Sequence, residues 1–210
     1  MKPMQYSLTL WLIRRLIADA RQLWSRSARR KFRPGTGPAI PNVTHEKPNL
    51  GRRESFPQTF VMESFFAREL ITVLTRGANE EMQFLTGPKI GPIRIIARWA
   101  QPVSLERQSP VFVRASAKSV ASVLIPIIEQ GAELHLIAHS HPGLGEGASY
   151  PSGTDTRCLG TLQESGSPAI GCIVTRDGFV RFFSVSTTFH VMVLGAGVTE
   201  VTTNVFKIQR

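Results

Sequence analysis

The chain has 210 residues, 42% of them hydrophobic and 19% charged, which suits one ordinary folded domain with an appendage and excludes a wholly disordered protein. Its longest apolar stretches are about half of the roughly 20 residues that span a bilayer, which argues against an ordinary membrane-spanning chain. The net charge of +10 invites a nucleic-acid reading, but residues 1–55 hold 12 Lys and Arg against 3 Asp and Glu (+9), and the remaining 13 and 12 leave residues 56–210 at +1.

The near-neutral body therefore carries no electrostatic footprint for nucleic acid. The two cysteines, Cys158 and Cys172, cannot build a disulfide scaffold or an all-cysteine zinc site. A reducing compartment accommodates them, and a cytoplasmic location is expected.

In chain order, residues 6–24 place Leu8, Trp11, Leu12, Leu16, Ala20, Leu23 and Trp24 at three- and four-residue steps, the mark of an amphipathic helix. A basic run follows, so residues 1–33 form an amphipathic basic extension. It is open to three uses: docking on a body or partner, peripheral membrane contact through residues 6–33, or targeting. Residues 34–57 are rich in Pro and Gly and read as a linker. The body, 58–210, alternates in type. A helix is expected over 61–76 with Phe65, Leu70, Val73 and Leu74 inward. Strands are expected over 82–86, 92–99 and 111–114. A helix over 116–130 has Ser116 as its N-cap and Pro126 as a source of a kink. A strand over 133–139 leads into a Gly-rich loop, 142–154, and a helix over 155–165. Two strands, 169–175 and 179–185, join at Asp177-Gly178, a hairpin signal. A last strand is expected over 201–208. The sum is a mixed α/β domain without internal repeats.

Chemistry concentrates where the chain reads His139-Ser140-His141-Pro142, then a loop, then Ser152-Gly153-Thr154-Asp155. Two imidazoles at i and i+2 of a strand end project from one face, and Asp155, where loop meets helix, can supply a third ligand. Two His and one carboxylate leave a tetrahedral position open, as in catalytic zinc sites. The same spacing also fits two hydrogen-bonded histidines at a strand end and an Asp capping a helix.

These residues resemble the signature of the JAMM metalloproteases, the catalytic MPN domains, whose pattern is Glu…His-x-His-Pro…Ser-x-x-Asp. The resemblance covers roughly residues 60–185. It implies an MPN, cytidine deaminase-like fold, a mixed sheet flanked by helices. It implies Zn²⁺ on His139, His141 and Asp155, with Ser152 as the motif serine. Family members carry the upstream Glu at the start of a strand that closes on Gly. Gly87 closes MQFLTG, and Glu80 stands seven residues before it. Glu80 also alternates with Met82 and Phe84, whereas Glu81, the alternative, alternates with Gln83. Ten residues separate His141 from Ser152, more than the commonest family spacing, and Gly143, Gly145 and Gly147 let that loop bulge.

The implied activity is zinc-dependent cleavage after the C-terminus of a ubiquitin-like protein, by deconjugation or precursor processing. Glu80 acts as general base and Ser152 steadies the oxyanion. The phrases SGTDT and RDGFVRFF are similar to bacterial JAB/MPN proteins encoded beside ubiquitin-activating-like and ubiquitin-conjugating-like enzymes, some in defence against phage. The alternative is a non-catalytic MPN scaffold or adaptor with a basic N-terminal arm. Of the remaining groups, Cys158 is expected to be a buried helical cysteine rather than a nucleophile, and Cys172 a core residue. His135, on the face of His139 and His141 by alternation, is expected to be a core or supporting histidine, and Glu146 to be solvated.

Every proposed ligand lies between Glu80 and Asp155, so deleting residues 1–55 should leave metal binding intact while weakening attachment to anionic vesicles or a larger partner. That attachment should fall as salt is raised, because exposed charges are screened over about 8 Å at physiological ionic strength. Vesicle sedimentation and elemental analysis of the two chains check both halves.

Overall fold

The structure, a computed structural model, describes residues 57–100 and 104–209. The expected N-terminal helix and the linker lie outside these residues. The described residues belong to a unit running from Phe56 to Arg210. Among them, no helix is long and apolar enough to cross a membrane.

Strand β1 (Gln58–Glu63) opens the unit and leads directly into helix α1 (Ser64–Leu74). The helix expected over 61–76 is thus shorter, because Val61–Glu63 belong to the strand. Phe60 and Met62 alternate inward and are fully buried, and β1 is paired on both sides in parallel. Each such fully buried large side chain contributes roughly 1.5–3 kcal/mol, which outweighs a helical preference. Within α1, Ala67, Leu70, Ile71 and Leu74 form the buried stripe, whereas Phe65, expected inward, is 72% exposed. At about 100° per residue, position 65 lies nearly opposite the stripe of Ala67, Leu70, Ile71 and Leu74, on the outer face.

Strands β2 (Met82–Thr86), β3 (Lys89–Ile90), β4 (Ile93–Ile96) and β5 (Arg98–Trp99) follow. The run expected as one strand over 92–99 is divided between β4 and β5, which lie in different sheets. Strands β6 (Leu105–Ser109) and β7 (Phe112–Ala115) form an antiparallel hairpin. Helix α2 (Ala117–Glu129) starts at Ser116, whose hydroxyl accepts from the Ser119 N–H, and carries Pro126 within it. Then come β8 (Leu134–His141), a 3₁₀ turn (Glu146–Ser149), α3 (Gly153–Glu164), β9 (Ile170–Thr175), β10 (Phe179–Phe183), β11 (Phe189–Leu194), β12 (Val198–Thr202) and β13 (Val205–Ile208).

The described strands form a seven-stranded sheet in the order β12-β13-β10-β9-β8-β2-β5, a four-stranded sheet in the order β11-β1-β4-β3, and the β6-β7 hairpin. In the large sheet β8 and β9 are parallel and the remaining pairs antiparallel, so the fold is mixed α/β. One face of the large sheet (Leu85, Leu136, Ala138, Cys172, Val174, Phe182) packs with α1 and the smaller sheet in the main core. The opposite face gathers Phe84, Leu134 and Ile137 with Val120, Val123 and Leu124 of α2 and Leu162 of α3.

A β-bulge decides the place of His135. Leu85 pairs with Leu136 but the next residue, Thr86, pairs with Leu134. His135 is therefore the extra residue, and the alternation breaks there. His139 and His141 keep the face of Ile137, whereas His135 turns into the main core against Phe60. It is fully buried; its Nδ1 donates to the Ile95 carbonyl at 3.2 Å, and its Nε2 has no partner.

Burial pushes the His135 pKa down to about 4, against the partial support of the Ile95 carbonyl. An unfolded chain takes up that proton near 6.5, so the folded state loses stability as pH falls from about 6.5 to about 4, by roughly 3 kcal/mol at most. Chemical denaturation of the metal-free protein at pH 7 and pH 4.5 should show this slope, and His135→Leu should flatten it.

Candidate metal centre

His139 and His141 end β8 beside β2 and β9, with His139 opposite Met82 and Ile173. Asp155 comes from the first turn of α3. Ser152 is the N-cap of that helix: its hydroxyl accepts from the Asp155 N–H at 3.2 Å, and the Asp155 carboxylate accepts from the Ser152 N–H at 2.7 Å. Asp155 is thus the third helical residue of a capping box, not the cap itself, and α3 begins at Gly153 rather than within the expected 155–165. This local pairing fixes the carboxylate before any ligand arrives.

Three ligand atoms converge. His139 Nε2 and His141 Nε2 are 3.1 Å apart, and Asp155 Oδ1 and Oδ2 lie 3.4 and 3.8 Å from them respectively. Ligands spaced tetrahedrally around an ion at 2.0–2.1 Å are about 3.3 Å apart, so the trio fits a metal ion with small adjustments. His141 Nδ1 donates to the Ala148 carbonyl at 2.7 Å. That bond places the proton on Nδ1 and leaves the Nε2 lone pair for a metal, the usual support of a ligating imidazole. Burial opposes the charges here, but where the histidine Nε2 atoms carry protons in place of a metal, their hydrogen bonds hold the Asp155 carboxyl well below its usual range. The Asp155 and Ala148 oxygens raise His141. Asp155 is therefore ionised across the physiological range, as a metal-binding carboxylate must be.

Glu80, 8% exposed, lies in the same cleft of about 500 Å³, with Met82, Ile137, His139, His141, Ser152 and Asp155. The β6-β7 hairpin grips its backbone: the Glu80 N–H donates to the Ser109 carbonyl at 2.9 Å, and the Glu80 carbonyl accepts from Gln108 at 2.9 Å. Glu81 does not line the cleft. It exchanges bonds with Ser140, its N–H donating to the hydroxyl at 3.0 Å. Burial raises the Glu80 pKa, and the two histidines offset part of that. Such a carboxylate is a stronger base than a solvated one.

The loop between His141 and Ser152 is ordered by contact. A Cβ on Gly143 would sit 2.7 Å from the Ala148 methyl, so glycine is required for the loop to close on itself. Gly145, at φ +80°, has left-handed backbone that glycine adopts without strain. Glu146, expected solvated, instead pairs with Arg181 at 2.9 Å. Cys158, expected buried, is exposed and lines the cleft; it lies one turn after Asp155 on the same side of α3. Cys172 is in the main core, where burial raises its thiol pKa. At the far end of α3, Gln163 Nε2 donates to the Ala169 carbonyl and its Oε1 accepts from the Val185 and Ser186 N–H groups, which anchors the helix that carries Asp155.

Sequence reasoning missed the hairpin residues Pro110, Val111 and Val113 and the pair Gly171 and Phe183 in the cleft wall. It also missed Arg181, although a lone charge inside the apolar strand FVRFF was a signal.

No family model matches the chain, and no curated protein is significantly similar to it. Among solved structures, a Desulfitobacterium hafniense protein studied in solution is 15% identical over 65% of this chain and 95% of its own, with a TM-score of 0.45. A JAB1/MPN domain protein from Archaeoglobus fulgidus is 11% identical over 64% of this chain and 98% of its own, with a TM-score of 0.36. Likenesses of this size assign no activity, and the chemistry is read from the side chains.

The purified chain should bind one zinc ion per molecule. His139→Ala or Asp155→Ala should abolish stoichiometric binding, whereas Glu80→Gln should keep it. Elemental analysis after gel filtration distinguishes these outcomes.

Proposed function

We propose that the chain is a zinc-dependent hydrolase of the JAMM type, an isopeptidase or peptidase that cuts after the C-terminus of a ubiquitin-like protein. The observation that carries the reading is the convergence in one cleft of a His-His-Asp group with a buried carboxylate, Glu80, whose basicity is raised. A non-catalytic scaffold has no use for a carboxylate held out of water beside three ligands.

Zinc, when bound, would lower the pKa of a water molecule toward 7 and polarise the scissile carbonyl. His139, His141 and Asp155 would hold the ion. The buried Glu80 carboxylate takes the proton of the attacking water and delivers it to the leaving amine. The Ser152 hydroxyl accepts from the Asp155 N–H, which leaves its own proton to donate to the developing oxyanion. Apolar walls from Met82, Ile137, Leu159 and Phe183 reduce competing water around the reacting bond. The JAMM signature supports the ubiquitin-like substrate class. The similarity of SGTDT and RDGFVRFF to bacterial JAB/MPN proteins supports a place among ubiquitin-like conjugation enzymes, including those of phage defence.

The test is hydrolysis of a ubiquitin-like domain bearing a C-terminal peptide extension. Cleavage should stop with a chelator and return with zinc. Glu80→Gln should fall by about 10²–10⁴-fold, the usual contribution of a positioned base. Cys158→Ser should retain turnover. That variant is a cleaner control than an alkylating reagent, which would crowd the cleft. Turnover by metal-free protein, or its loss in Cys158→Ser, would move the chemistry to the thiol.

A further inference from the structure

We infer that Arg181 is the positioning residue of the metal centre, acting on His141 through the loop that carries Ala148. This rests on the metal reading of the His-His-Asp group. Arg181 pairs in register with Ile173 on β9, and Ile173 with His139 on β8, so arginine and ligand share one face of the sheet two strands apart. Adjacent strands are about 4.8 Å apart, so β10 and β8 are separated by about 9.6 Å, and the long arginine side chain reaches toward the loop that follows β8.

Its guanidinium grips the 3₁₀ turn on three sides. Nη2 pairs with the Glu146 carboxylate at 2.9 Å. Nε donates to the Ser149 hydroxyl at 3.1 Å, and that hydroxyl donates in turn to the Glu146 carbonyl at 2.6 Å. The Tyr150 ring lies against the guanidinium, 3.9 Å from its centroid. Ser149 is fully buried, and the Arg181 side chain is 13% exposed. A second tether runs from the β9-β10 turn, where the Asp177 carboxylate accepts from the Gly145 N–H at 3.1 and 3.2 Å.

Ala148 stands inside the clamped segment, between Glu146 and Ser149, and its carbonyl is the acceptor that orients His141. A loop of ten residues with three glycines has many conformations of its own, and the side-chain grip adds to the turn's own backbone bonds in holding the one that presents this carbonyl. The planar fork of arginine suits the task because it serves a carboxylate and a hydroxyl at once. Arg181 touches no ligand and lies outside the cleft lining, so its effect passes through the loop.

The full-length chain tests this with zinc affinity, measured by competition with a chromogenic chelator, and with the visible absorption of bound Co²⁺. Arg181→Met keeps the apolar stem and removes the donors. Its zinc affinity should fall about 10–100-fold, the usual cost of losing an outer partner of a ligand. Its Co²⁺ bands should shift, while the metal-free melting temperature stays close to that of the parent. Arg181→Lys should recover part of the affinity, since one ammonium reaches Glu146 but cannot serve Ser149 as well. Zinc affinity within twofold of the parent and unchanged Co²⁺ bands in Arg181→Met overturn the inference. Should that variant not fold, Glu146→Gln decides by the same two readouts. A parent chain that binds no metal fails the metal reading itself, whereas a binding parent with an unaffected variant fails only the role of Arg181.

Discussion

Two imidazole nitrogens and a carboxylate brought within 4 Å of one another cannot all meet as bare lone pairs. A proton on one of the imidazole nitrogens or a metal ion must lie between them, because acceptors facing one another without a donor cost free energy. The surrounding structure serves this constraint. The parallel partner β9 and the antiparallel partner β2 fix the strand that ends in the two histidines, the capping box fixes the carboxylate, and the clamped loop fixes the second imidazole. Each restraint is supplied by a group outside the trio: the neighbouring strands, Ser152 and the Ala148 carbonyl.

The same economy appears in how the acidic groups are separated. Asp155 and Glu80 share a cleft but have opposite fates: hydrogen bonds from the histidines hold one ionised, and burial raises the other. One carboxylate is thereby suited to hold a cation and the other to move a proton, a division of roles set by environment rather than by residue type. The β6-β7 hairpin takes part, since it grips the Glu80 backbone and lends its tip to the wall of the cleft.

Much of the site was legible because its signals are local. A His-x-His ending an apolar run, followed by a Gly-rich loop and Ser-x-x-Asp, marks a strand, a loop and a helix within a short span, although the helix starts at Gly153, two residues before the expected position. The N-cap at Ser116 and the turn at Asp177-Gly178 were legible for the same reason. The errors fell where long-range pairing overrode local pattern. Val61 and Met62 stand at helical spacing from Phe65 and Phe66, but pairing with β4 and β11 draws Val61–Glu63 into a strand. His135 obeys the alternation of its strand until a bulge, visible only against β2, reverses it. Glu146 looked solvated because its partner Arg181 lies 35 residues away.

The sequence by itself determined the mixed α/β class, the concentration of basic charge in residues 1–55 and the residue types that can hold a metal, because these depend on composition and on neighbours a few positions apart. The alternation of Glu80 with Met82 and Phe84 already favoured it over Glu81, but only the tertiary structure decided which histidine is turned away and that Cys158 is exposed in the cleft. Those outcomes depend on strand register and on the closing of a ten-residue loop. Both are governed by contacts between segments far apart in the chain, and no local pattern encodes the partner that a side chain will meet.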